Sequence, residues 1–61
     1  MCEFKVFLEG KKVFEDAIYA KSSRGKVTLK NVLGEMRDFK NCQIAEVNVI
    51  SETLSLTLKG S

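Results

Sequence analysis

Two cysteines, Cys2 and Cys42, are the side chains of this 61-residue sequence best suited to chemistry, and the sequence contains no histidine. Without imidazole the commonest general base, the commonest metal ligand and the usual proton switch near neutral pH are all excluded. Cys2 is the candidate ligand. Removal of Met1 would leave a terminal cysteine whose amine and thiolate close a five-membered chelate. Two such termini about a twofold axis would supply two nitrogens and two sulfurs, a tetragonal donor set that suits Ni(II) or Cu(II) before Mg²⁺ or Ca²⁺. The thiolate must form, so affinity should rise with pH. The competing role for Cys2 is plainer: the first inward residue of a strand, where cysteine packs as a small hydrophobe. Cys42 opens an apolar segment and is expected in the core or at a bulge. No Cys-x-x-Cys spacing exists, which argues against a structural zinc site within one chain.

The stretch from Lys21 to Lys30 carries Lys21, Arg24, Lys26 and Lys30 without an acidic residue. These cations could track phosphates while Tyr19 or Phe7 stacks bases, or they could form an ordinary solvated strand face. A net charge of +2 is small for a nucleic-acid domain. Glu15, Asp16, Glu35 and Asp38 fall in turns or at strand edges, and nothing orients two of them as an acid and a base. No enzyme is expected.

With 44% hydrophobic and 30% charged residues, the sequence reads as one small domain over 1–61. A chain this short removes only about 60% of its unfolded surface from water. Domains below roughly 70–80 residues usually need a disulfide, a metal or a partner subunit. The start MCEFKVFLEG places Glu3 and Lys5 where a secretory signal would be apolar, so a cytoplasmic protein with free thiols is expected. No uncharged run approaches the ~20 residues that would cross a bilayer.

Period-two alternation predicts a strand over Cys2 to Glu9, with Cys2, Phe4, Val6 and Leu8 on one face. A turn at Gly10-Lys11-Lys12 then leads to a short return strand at Val13-Phe14-Glu15. Asp16 to Lys21 is compatible with a strand or a helical turn. After Ser22-Ser23-Arg24-Gly25, Val27 and Leu29 mark the next inward face, and Met36-Arg37-Asp38-Phe39 suits an edge strand. In Cys42 to Ile50 the apolar phase slips between Ile44 and Ala45, as a β-bulge requires. The last strand turns Leu54, Leu56 and Leu58 inward. The expected fold is all-β, a small SH3-like or Sm-like antiparallel barrel of five to six short strands. Phe7 breaks the alternation and points outward; with Tyr19 or Phe14 it would make a patch for a dimer interface.

The opening Met1-Cys2-Glu3-Phe4-Lys5-Val6, the Leu33-Gly34-Glu35 triplet and the closing Ile44-Ala45-Glu46-Val47-Asn48-Val49 with Leu54-Ser55-Leu56 together resemble the CooT-like family. The resemblance covers essentially the whole chain. It implies an SH3-like homodimer that handles nickel for carbon monoxide dehydrogenase, with Ni(II) bound near the second-position cysteine. Only Cys2 carries over residue by residue. The family is also labelled as predicted RNA-binding, which here would fall on Lys21, Arg24, Lys26 and Lys30. The combined expectation is a cytoplasmic, non-catalytic nickel chaperone or storage protein. It would hold one Ni(II) per dimer and meet a nickel-enzyme maturation partner.

Overall fold

The structure is a computed structural model and describes residues 3–59. Six strands, β1 (Phe4–Leu8), β2 (Lys11–Ser23), β3 (Lys26–Asn31), β4 (Met36–Lys40), β5 (Cys42–Asn48) and β6 (Thr53–Leu58), make one sheet in the order β4-β3-β2-β1-β6-β5. There is no helix among the described residues, and hence none long and apolar enough to cross a membrane.

Two tight turns set the path. Glu9 and Gly10 both have positive φ, and Leu8 pairs directly with Lys11, as a two-residue hairpin loop requires. The turn is therefore Glu9-Gly10, one residue earlier than the expected Gly10-Lys11-Lys12. Arg24-Gly25 repeats the device between Ser23 and Lys26.

The stretch expected as a short strand plus an ambiguous segment is one strand of 13 residues, β2. Its pairing slips between Lys12 and Phe14, between Phe14 and Ala17, where Asp16 has φ 57°, and again at Ile18. Each slip reverses which parity faces inward, so no single alternation runs along the strand. The bends let β2 pair with β1 through its first half and with β3 through its second.

The core is Val6, Ala17, Val27, Leu29, Cys42, Leu54 and Leu56, with Phe4, Leu8, Val13, Phe14, Phe39 and Ile44 packed around it. Burying each large aliphatic side chain contributes roughly 1.5–3 kcal/mol. The bulge in β5 lies where the phase slip put it, between Ile44 and Glu46, and β4 is an edge strand. Leu58 is exposed rather than inward, since it is the last residue of β6.

The pairing is not wholly antiparallel. β1 and β6 run parallel, from Lys5↔Thr53 to Leu8↔Leu56. Alternation carries no strand direction, which is why the pattern could not reveal this. Nor does a ladder close the barrel: β4 and β5 are the two sheet edges. The sheet curls until β5 lies across β3, with the Cys42 N–H donating to the Gly25 carbonyl at 3.0 Å.

The Leu33-Gly34-Glu35 triplet has a structural reason. Buried Asn31 accepts the N–H groups of Leu33 and Glu35 on Oδ1, each at 3.0 Å, and donates Nδ2–H to Glu35 Oε1 at 2.8 Å. Gly34, at φ 87°, supplies the left-handed residue that this clasp needs.

Candidate functional site

Cys2, the candidate nickel ligand, lies outside the described residues. The strand that follows it can be placed. Phe4 pairs with Ala17 at the bend of β2, and Lys5 pairs with Thr53 while its N–H donates to the Glu52 carbonyl at 3.0 Å. The chain thus enters the sheet between the β2 bend and the β5–β6 turn.

Beside that entry is an apolar cleft of about 280 Å³, lined by Phe4, Ala17, Ile18, Ile44, Val47 and Leu54 together with Tyr19 and Ala20. No charged side chain lines it. Ile18 and Val47 remain about half exposed at its rim, at 51% and 54%. Two residues beyond Val47, the β5–β6 turn displays Val49, 64% exposed, and Ile50, 98% exposed. Of these the sequence assigns a functional role only to Tyr19, while Val47 and Val49 enter it as part of the closing family pattern. The slips in β2 and β5 hide which face each residue takes, and the cleft gathers positions far apart in the chain.

Cys42 is a core residue. It is buried opposite Leu58, and its thiol donates to the Lys40 carbonyl at 3.3 Å. Its end of β5 is the one away from Asn48 and Thr53, and so away from the entry of the chain. Among the described residues no three His, Cys, Asp or Glu side chains cluster to hold a metal.

Phe7 is half-buried on β1, between Lys12 and Ser55, and is not part of the core cluster. Phe14 packs against the core, and Tyr19 lies beyond the Asp16 slip at the cleft.

The basic stretch acquires a definite geometry. Buried Val27 and Leu29 turn Lys26, Thr28 and Lys30 outward. Directly opposed residues of antiparallel strands share a face. The outer surface of β2, β3 and β4 is therefore three rows, Ser23–Lys26–Lys40, Lys21–Thr28–Asp38 and Tyr19–Lys30–Met36. Asp38 accepts from Thr28 Oγ1 at 2.8 Å and pairs with Lys26 at 3.9 Å. Among the described residues Lys21, Lys30 and Lys40 have no such carboxylate partner. Arg24 is exposed at the hairpin tip beside the first row. Lys40 joins Lys21, Lys26 and Lys30 only through the β3–β4 pairing.

Glu9 is a structural carboxylate. Its Oε2 accepts from Thr57 Oγ1 at 2.7 Å and from the Leu58 N–H at 3.0 Å. The Thr57 hydroxyl first, then the Leu58 amide, hold its pKa below the usual value. No paired acid and base emerges.

No curated protein matches the chain. Residues 1–57 match the family described as CO dehydrogenase accessory protein CooT, and with that match spanning nearly all of its 61 residues the chain belongs to this family.

Proposed function

We propose that the protein is a homodimeric Ni(II)-binding accessory protein that delivers or stores nickel for a nickel enzyme such as carbon monoxide dehydrogenase. One ion is held between the Cys2 residues of two chains, and the protein performs no catalysis of its own. The observation that carries this reading is the family match running from residue 1 through the second-position cysteine. The donor inventory supports it. With no histidine in the chain and Cys42 in the core, nickel must take the Cys2 thiolate with terminal or backbone nitrogen. One chain supplies too few such donors, and two supply a square set.

The test is a Ni(II) titration of protein whose N-terminus has been checked by mass. Half a nickel per chain and thiolate-to-nickel charge-transfer absorption are expected, with affinity rising with pH as the thiol ionises. If Cys2→Ser binds nickel as well as the parent, the assignment is wrong. Retention of Met1 should weaken or reshape the site.

A second reading is a single-stranded RNA module. The observation that favours it is the outer face of β2, β3 and β4, where Lys21, Lys26 and Lys30 share a face with Tyr19, Lys30 directly opposite it, and Arg24 caps the tip. It predicts salt-dependent binding of oligonucleotides that Lys21→Glu and Lys30→Glu abolish. Flat titrations at low salt would remove it.

A further inference from the structure

We infer that the open edge of β4 takes an acidic, extended segment of another protein as a further strand of the sheet, and that the cations of β2, β3 and β4 select it. This rests on the accessory-protein reading, because a protein that hands on a metal docks on its recipient, and not on Cys2 or the metal itself.

The register settles which backbone groups of β4 are open. The Asn31 N–H donates to the Glu35 carbonyl at 3.0 Å, so Asn31 and Glu35 form a hydrogen-bonded pair at the end of the β3–β4 ladder. Such pairs alternate along an antiparallel ladder, and this one runs without a shift from Lys30↔Met36 to Lys26↔Lys40. Arg37 and Phe39 therefore bond back to β3, while the N–H and C=O groups of Met36, Asp38 and Lys40 point away from the sheet. The Lys40 carbonyl accepts the Cys42 thiol at 3.3 Å. The rest have no partner among the described residues and make a short template for main-chain pairing.

Charge decides what pairs there. Residues 21–40 hold six of the ten cations and two of the eight acids, so this part carries +4 and the remainder of the chain −2. In the three outer rows Asp38 is the one carboxylate, held by Thr28 and Lys26. A second copy paired antiparallel about the middle of β4 would set Asp38 against Asp38, and like charges directly opposite repel. An acidic chain is drawn in. A nucleic-acid strand fits less well, because it cannot use the peptide ladder and its phosphates meet Asp38 in mid-strand.

The side chains specify a sequence. Antiparallel addition is the more stable pairing per residue, and directly opposed residues share a face. The order Glu-Val-Thr-Glu-Leu sets an acid against Lys40, an apolar residue against half-buried Phe39 and a hydroxyl against Asp38. It then sets a second acid against Arg37 and an apolar residue against Met36, which is 62% exposed.

Titration of metal-free protein with this pentapeptide, acetylated and amidated, tests the edge by amide NMR. Hydrogen exchange at the Met36 and Asp38 amides should slow about tenfold with peptide at ten times its Kd, while the Arg37 amide, already bonded to β3, is unaffected. N-methylation of the peptide's threonine, whose N–H meets the Asp38 carbonyl, should abolish binding. N-methylation of its valine, whose N–H points away, should not. Lys40→Glu should weaken binding about fivefold, and lysine in place of the peptide's first glutamate should restore it. Lys40 is exposed, so this variant keeps the fold, which circular dichroism verifies. No binding by the parent at millimolar peptide overturns the proposal, as does equal loss from the two N-methyl peptides or tighter binding of Lys-Val-Thr-Lys-Leu. An oligouridine that binds more tightly than the peptide, without protection at Met36 and Asp38, gives the face to RNA and also overturns it. Cys2→Ser should bind the peptide as the parent does. A failed nickel titration thus leaves this edge standing, and a failed peptide titration leaves the metal assignment standing.

Discussion

The two edges of the sheet are finished in opposite ways. At the β4 edge, alternate residues present Met36, Asp38 and Lys40 outward, and the adjoining loop is tied by the Asn31 clasp. At the β5 edge, Ile44 and Val47 flank an open apolar cleft and the adjoining turn ends in Val49 and Ile50. An edge strand left bare is a template for association, and charge is the usual protection. The β4 edge carries that protection at Arg37, Asp38 and Lys40, whereas β5 carries one charged residue, Glu46. The difference teaches that in a domain this small, hydrophobic surface that cannot reach the core remains on both sides, at Leu33 and Met36 beside β4 and at Val47, Val49 and Ile50 beside β5, and that the sides differ in the charge that accompanies it.

Both edges depend on the single core between them, so the contrast holds only while the sheet folds as a unit. Leu29→Ala tests that most severely. Removing this fully buried side chain should cost about 2–5 kcal/mol, comparable to all that so small a core supplies. Urea unfolding followed by circular dichroism should show one lowered transition, and two separate transitions would mean that the halves fold independently. Asn31→Ala should cost less, about 1–3 kcal/mol, by stranding the Leu33 and Glu35 amides. Its effect on amide exchange should be greatest at the β4 edge. Equal loosening of β5 would erase the distinction between the two sides.

The smallest effect concerns pH. The folded pKa of Glu9 is lowered, so its contribution is present above the unfolded value of about 4.3 and is lost as pH falls through the lower folded value. Its partners, Thr57 and Leu58, lie on β6 beside the β5 edge. The parent should therefore lose more thermal stability than Glu9→Gln between pH 5 and pH 2. Parallel curves for the two proteins would show that the Glu9 contacts do not stabilise the fold.

Much of this architecture is legible in the residues, for identifiable reasons. Val27 with Leu29, and Leu54 with Leu56, alternate cleanly because their strands are straight and one face is buried. The slip at Ala45 is readable because apolar residues mark both sides of it. β2 is not readable, since its slips reverse the pattern before any stretch is long enough to reveal its phase. The same slips conceal that Ile18 and Val47 meet across a cleft with Phe4. Lys40 joins the basic face only through strand pairing. Cys2 stands apart: donor chemistry and family resemblance single it out, and folding rules contribute nothing to its choice.

The parallel pairing of β1 with β6 bears on the order of events during synthesis. β1 can form its hairpin with β2 once Ser23 has been made, yet its other edge stays uncovered until Thr53 to Leu58 leave the ribosome. At about 5–20 residues per second that interval lasts a few seconds. Throughout it the chain cannot complete its core, because Leu54 and Leu56 are still missing. Any processing of the chain that is complete within that interval therefore acts on a sheet whose core is not yet assembled.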